Sequence, residues 1–402
     1  MQKNITDVTG FKVRGCHIGI KSKRRDLALI VSDVPASAAA VYTQNKIQAH
    51  PIKLTKRNLK NGIAQAIIVT SGNANACNGI KGMQGAEKAA IALANELDIS
   101  VNDVIVAATG VIGEPFPTEK VVEGIRKNVS VLSDRKIAGD MAANAIMTTD
   151  TFQKIGFLSF KIGKTKVNMA GIAKGSGMIH PNMATMLCFV VSDVNIEPSL
   201  LQEALSESVK RTFNMITVDG DTSTNDMVTV LSNGLANNDR ITEKNEEYEL
   251  FQEKLEELLK HLAKAIVSDG EGATKFIEYN VVNARTEEEA RKVAKTIANS
   301  NLVRTAMFGR DPNWGRIIAA LGRSGVPIDS DKIDIYLGSS KRQTKVAENG
   351  NRVDFDRKRV KLMLKSSQLQ VHVDLHQGSE KATAWGCDFS YEYVRINAEY
   401  HT

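Results

Sequence analysis

The stretch Lys174-Gly-Ser-Gly-Met-Ile-His-Pro-Asn-Met-Ala-Thr-Met-Leu-Cys-Phe-Val-Val-Ser-Asp193 decides how the rest of the chain is read. A glycine-rich approach meets an apolar run, Met186 to Val191, whose length and β-branched content predict a buried strand. The junction is Ala184-Thr185. A threonine hydroxyl there is placed to attack the Ala184 carbonyl and shift the chain from amide to ester, after which water releases a new N-terminus at Thr185. The freed α-amine, with an ordinary pKa of about 7.7–8.0, then acts as base for its own hydroxyl. The same spacing also describes an ordinary loop entering a strand. The choice between the two falls to the remaining sequence.

A chain of 402 residues with 42% hydrophobic content is long enough for one large domain or two ordinary ones. It contains no run of eighteen apolar residues, and the N-terminal stretch lacks the apolar segment of a secretion signal, so a cytoplasmic location is expected. Cys16, Cys77, Cys188 and Cys387 are scattered and form no C-x-x-C pair, which argues against a zinc site and against a disulfide framework. The net charge of +6 is mild, and the basic clusters Lys21 to Arg25 and Arg357 to Lys361 are not interleaved with aromatics. They read as solvated faces, and neither nucleic acid nor membrane is an expected partner.

Strands are predicted at Ala66 to Thr70 and Val104 to Ala108. The first ends in the turn-rich Ser71-Gly-Asn-Ala-Asn-Ala-Cys-Asn-Gly79, and the second runs into Thr109-Gly-Val-Ile-Gly-Glu114, where a turn at Gly110 can present backbone N–H groups. A helix is predicted from about Ala86 to Leu97, another capped by Thr118, and a third between Met141 and the hydroxyl cluster Thr148-Thr-Asp-Thr151. A hairpin over Phe157 to Ile162 and Thr165 to Ile172 turns at Gly163-Lys164. Pro198 opens a helix, Leu250 to Ile266 is the clearest helical stripe, and Thr286-x-x-Glu289 forms a capping box. Leu369, Val371, Val373 and Leu375 alternate as a half-exposed strand with Ala382 to Phe389 as its expected partner. These elements define an α/β (mixed α+β) class.

The run Asp219 to Asp226 has oxygen ligands at alternate positions, but Thr224 and Val230 stand where a calcium loop needs glycine and glutamate, so an ordered polar turn near a site is expected. His372, Asp374 and His376 share a strand face and leave metal binding open only as the lesser reading. The turn Asp269-Gly-Glu-Gly-Ala-Thr-Lys275 presents Glu271.

Taken together, these segments resemble the ornithine acetyltransferase family. The likeness spans nearly the whole chain and rests on Ser71 to Asn75, Ala108 to Gly113, Thr148 to Thr151, Lys174 to Ile179, Asn182 to Leu187, Asp219 to Thr222, Asp269 to Lys275, Asp311 to Arg316 and Asn397 to Thr402. The resemblance implies a layered αββα sandwich with a smaller C-terminal lobe, cut between Ala184 and Thr185 into an α chain of residues 1–184 and a β chain of residues 185–402. It implies that Thr185 carries an acetyl group from N²-acetylornithine to glutamate and that Thr109 and Gly110 form the oxyanion hole. Thr151, Lys174, Thr185, Glu271, Asn397 and Thr402 match the family's substrate contacts. No cofactor or metal is implied, acetyl-CoA stays open as a further donor, and the implied assembly is a heterotetramer of two α and two β chains. An amidohydrolase that passes its acyl group to water and a non-enzymatic binding protein are the alternatives.

Overall fold

The computed structural model describes residues 2–180 and 186–399. In chain order the first strands are β1 (Phe11–Cys16), β2 (Leu27–Tyr42), β3 (Ile63–Asn73), β4 (Val104–Val111), β5 (Lys154–Ile162), β6 (Thr165–Lys174), β7 (Leu187–Ser192) and β8 (Ile216–Thr217). They continue with β9 (Met227–Ser232), β10 (Phe276–Ala284), β11 (Asp334–Ser339), β12 (Arg342–Glu348), β13 (Asn351–Arg352), β14 (Gln368–Asp374) and β15 (Glu380–Cys387). Two compact units contain them. The larger holds residues 1–214 and 221–266, and the smaller holds residues 215–220 and 267–401. The class is therefore α/β, with one mixed sheet in each unit.

The larger unit is built on a sheet of order β4-β3-β2-β9-β7-β6-β5, with β1 added against β2. Its central strands are apolar on both faces because both faces are buried. Along β2, Ala28 and Ile30 enter one core with Val69, Phe189 and Ala142, while Leu27, Leu29 and Val31 enter another with Ile68, Val106, Leu93 and Ile125. The continuous apolar runs at residues 66–70, 104–108 and 186–191 follow from that position, and all three form strands. The hairpin also forms as expected, with Ile162 opposite Thr165 and Gly163 at a φ of 56°.

Helix boundaries depart from the sequence reading in three places. The helix expected from Ala86 begins at Gly79 and runs to Leu97, because its glycines serve close packing rather than a turn. A Cβ on Gly82 would lie 2.4 Å from His50 Cδ2, and one on Gly85 2.6 Å from the Thr118 hydroxyl. Thr118 does not cap the next helix, Thr118–Val129: Pro117 holds the cap position and the Thr118 hydroxyl donates back to the Phe116 carbonyl at 3.4 Å. The helix expected between Met141 and Thr151 lies earlier, at Lys136–Ala145. Residues 148–151 form a turn instead, in which the Asp150 carboxylate accepts the Thr148 N–H at 2.9 Å.

The smaller unit carries the sheet β13-β12-β11-β14-β10-β15-β8. Here β14 and β15 are not neighbours, contrary to the expected pairing, because β10 lies between them, parallel to β14 and antiparallel to β15. Ile277, Tyr279 and Val281 of β10 face inward, and its polar residues are matched across the sheet. Glu278 accepts from Trp385 Nε1 at 3.1 Å and from Gln370 Nε2 at 2.8 Å, while Thr383 donates to Asn280 at 2.7 Å. Thr286 caps the helix Glu287–Ala298 by accepting the Glu289 N–H at 3.1 Å. The other half of the capping box is diverted, since the Glu289 carboxylate binds Arg285.

Candidate active site

The ends of β3 and β4 form one wall. Gly110 lies within β4 rather than in a turn after it, opposite Gly72 of β3 and at a φ of 133°. A Cβ there would come within 2.3 Å of the Gly72 carbonyl carbon, so glycine is demanded both by the backbone angle and by the neighbouring strand. Thr109 precedes it and is 8% exposed. Asn225 braces this wall by donating to the Ala74 carbonyl at 2.6 Å and the Ala108 carbonyl at 2.9 Å.

Lys174, the last residue of β6, is buried and pairs in register with Leu187, the first residue of β7. It thus stands beside the strand that continues from Thr185. Its ammonium lies 3.4 Å from the Thr109 hydroxyl. Asp150 is equally buried and is surrounded by donors: Lys154 Nζ at 2.7 Å, the Gly175 N–H at 2.7 Å and the Thr148 N–H. Burial alone would raise the Asp150 carboxyl, but the charges of Lys174 and Lys154 and these hydrogen bonds outweigh it and hold it at about 2. The carboxylate is ionised and anchors the loop on which the β6 end turns.

Lys21 belongs to the same neighbourhood and was not legible as such. In the sequence it is the first member of a basic cluster that reads as a solvated face. In the fold, its ammonium donates to the Arg25 carbonyl at 2.8 Å and the Met147 carbonyl at 2.6 Å, and its stem packs against Gly72. Burial lowers its pKa to about 8, with Lys174 and Arg24 adding to the effect and Asp26 opposing it. The signal that could have marked it is the adjacent Asp26, which is fully buried and accepts the N–H groups of Ile18, Ile20 and Lys21.

The larger unit therefore brings together Thr109, Gly110 and Lys174, with Thr151 exposed next to Asp150. The smaller unit brings together Glu271 and Asn397, whose side chains are joined by a 3.0 Å hydrogen bond. Glu271 sits on a turn docked against the helix Tyr391–Glu399. Gly272, at a φ of 67°, has no room for a Cβ, which would meet the Tyr393 N at 2.4 Å, and its carbonyl accepts the Ser390 hydroxyl at 2.6 Å. Ala184, Thr185 and Thr402 lie outside the described residues. Among the described residues, no group of His, Cys, Asp and Glu is arranged to hold a metal ion, and no helix is long and apolar enough to cross a membrane.

The ArgJ family model matches residues 12–402. The arginine biosynthesis bifunctional protein ArgJ of Caldanaerobacter subterraneus is 51% identical over 393 residues, covering 98% of this chain and 97% of that protein. The crystal structure of the protein of the same name from Bacillus halodurans is 45% identical, with a TM-score of 0.50, and the match covers 53% of this chain and 98% of the solved one. The ornithine acetyltransferase of Mycobacterium tuberculosis, solved with ornithine, is 31% identical with a TM-score of 0.40 over 46% of this chain and 96% of that one. With a family match over nearly its full length and such identity to ArgJ enzymes of arginine biosynthesis, the chain belongs to the ArgJ family and is an acetyltransferase.

Proposed function

We propose that the chain cuts itself between Ala184 and Thr185 and that Thr185, freed as an N-terminus, carries an acetyl group from N²-acetylornithine to glutamate. The observation that carries this reading is the contact between Lys174 and Thr109 at the start of β7. It joins a buried cation to a hydroxyl beside the Gly110 backbone, at the strand entered from Thr185. In the first half-reaction the Thr185 hydroxyl attacks the acetyl carbonyl, its proton passing to the α-amine. Thr109 and the Gly110 N–H donate to the oxyanion, ornithine leaves with the proton, and glutamate then takes the acetyl group by the reverse sequence.

Lys174 faces a substrate α-carboxylate in this scheme, and Glu271 faces the ornithine side-chain ammonium. Thr151, Asn397 and Thr402 are further substrate contacts. The self-cleavage products are residues 1–184 and 185–402, assembled as two copies of each in the cytoplasm. The Bacillus halodurans match supports the division, since nearly all of that solved chain covers 53% of this one, close to the share represented by residues 185–402. No cofactor takes part, and acetyl-CoA as a second donor for glutamate is consistent with the bifunctional name of the relatives.

The test is the fate of labelled acetyl from acetylornithine. Transfer predicts N-acetylglutamate as the product and release that depends on glutamate, with parallel-line initial-rate kinetics. Free acetate appearing at one rate with or without glutamate contradicts it and favours an amidohydrolase.

A further inference from the structure

The helix Tyr391–Glu399 brings Asn397 to the Glu271 carboxylate, yet none of its own side chains is fully buried. Core packing does not fix where it lies. The residues before it do: Asp388 and Ser390 are 2% and 5% exposed, and both reach back to the turn that presents Glu271. Asp388 Oδ1 accepts the Thr274 N–H at 2.8 Å and the Lys275 N–H at 2.9 Å, and Oδ2 accepts the Thr274 hydroxyl. The Asp388 N–H donates to the Lys275 carbonyl at 3.3 Å. The Ser390 hydroxyl that donates to the Gly272 carbonyl also accepts the Tyr393 N–H at 3.3 Å, so one side chain ties the turn to the start of the helix.

This clasp is anchored in its turn. Arg304, on the helix Asn301–Phe308, is 1% exposed and donates from Nε to the Cys387 carbonyl at 3.0 Å and from Nη2 to the Asp388 carbonyl at 3.3 Å. Its guanidinium lies 4.9 Å from the centre of the Phe389 ring, and the Phe389 and Tyr393 ring centroids are 5.0 Å apart. Burying a carboxylate and a guanidinium carries a cost that hydrogen bonds offset only at fixed geometry, so the clasp leaves its two arms little freedom. Those arms end in Glu271 and Asn397.

We propose that Asp388 is a positioning residue that sets selectivity for the acetyl donor. By fixing the turn of residues 269–275 against the helix, it holds the Glu271 and Asn397 pair in the geometry that receives the side-chain ammonium of acetylornithine. This deepens the function proposed above and rests on Glu271 facing that ammonium. A carboxylate displaced from an ammonium loses most of its worth, because a charge-assisted hydrogen bond is short and directional. Glutamate ends in a carboxylate and gains nothing from Glu271, so its half-reaction is insensitive to where Glu271 stands.

The experiment measures initial rates of acetyl transfer by the full chain over a grid of both substrates, for wild type, Asp388→Ala, Asp388→Asn, Ser390→Ala, Glu271→Gln and the double variant Asp388→Ala with Glu271→Gln. In a double-displacement reaction, kcat/KM for each substrate reports its own half-reaction. Asp388→Ala leaves two N–H groups and a hydroxyl without their acceptor. Its kcat/KM for acetylornithine is expected to fall about tenfold or more, while that for glutamate changes by less than about twofold. Asp388→Asn keeps an oxygen for both N–H groups and is expected to return the acetylornithine value to within about threefold of wild type. In the Glu271→Gln background, Asp388→Ala is expected to cost acetylornithine nothing further, since both act through one contact. An unchanged acetylornithine value, equal losses for both substrates, a loss that Asp388→Asn does not relieve, or losses that add to those of Glu271→Gln overturn the positioning role. Glu271→Gln with wild-type kcat/KM for acetylornithine overturns instead the reading on which it rests. Should Asp388→Ala fail to fold, Ser390→Ala decides in the same terms: a loss of about threefold confined to acetylornithine supports the clasp, and no loss or an equal loss for glutamate overturns it.

Discussion

Asp150 and Asp226 are two carboxyls of the same unit, 2% and 1% exposed, that the fold treats in opposite ways. Asp150 is met by an ammonium at 2.7 Å and two backbone N–H groups, and its negative charge is secured. Neither carboxyl oxygen of Asp226 has a hydrogen-bond partner. The difference teaches that burial alone does not set a carboxyl's state: cations and N–H donors keep Asp150 ionised, whereas burial pushes the Asp226 carboxyl well above the ordinary range.

The comparison can be broken most sharply at Lys154, whose side chain is fully buried against Asp150. Lys154→Met leaves that carboxylate short of its nearest cation and is expected to cost about 3–5 kcal/mol, read as a lowered denaturant midpoint at neutral pH. A change within about 0.5 kcal/mol would mean that the pair is not what anchors the loop. Next in size is Thr109→Val, which keeps the shape of the β4 end and removes the hydroxyl contacting Lys174. With the expected oxyanion role, kcat falls by about 10²–10³-fold, or about 2.7–4 kcal/mol, while the melting temperature changes little. An unaltered kcat would remove Thr109 from the chemistry.

Acid titration sharpens the same contrast. The folded-state pKa of Asp150 lies below the ordinary value for an aspartate, so its stabilising contribution is complete above about pH 4 and is lost as pH falls toward about 2. On the order of 2 kcal/mol should disappear from the urea-unfolding free energy across that interval, and a flat profile there would contradict the pairing. The smallest effect belongs to the C-terminal unit. Thr286→Ala removes a cap that is hydrogen-bonded but partly solvated, and should cost about 1 kcal/mol without altering turnover.

Much of the fold was legible because its central strands are buried on both faces and therefore apolar without interruption. β10 escaped for the opposite reason: Glu278 and Asn280 break the pattern, and only their partners Gln370, Trp385 and Thr383, far along the chain, explain them. The start of the helix at Gly79 was hidden by glycines that look like a turn and in fact admit His50 and Phe116. Within the site, Thr109, Gly110 and Lys174 stood out through the motifs around them. Lys21 did not, because a charge in a basic cluster looks solvated until the fold covers it, and the run Asp219 to Asp226 reads as an ordered polar turn near a site without singling out Asn225. Asn225 shows this plainly, with its two acceptors lying in the β3–β4 region more than a hundred residues upstream.

The measurement that tests the central claim most directly is the intact mass of the purified full chain under denaturing conditions, taken beside Thr185→Ala. The account predicts two polypeptides from the wild type, residues 1–184 and a second one whose N-terminus is Thr185, and a single uncut chain from the variant. A wild type that remains one 402-residue polypeptide while transferring acetyl groups at full rate would contradict it.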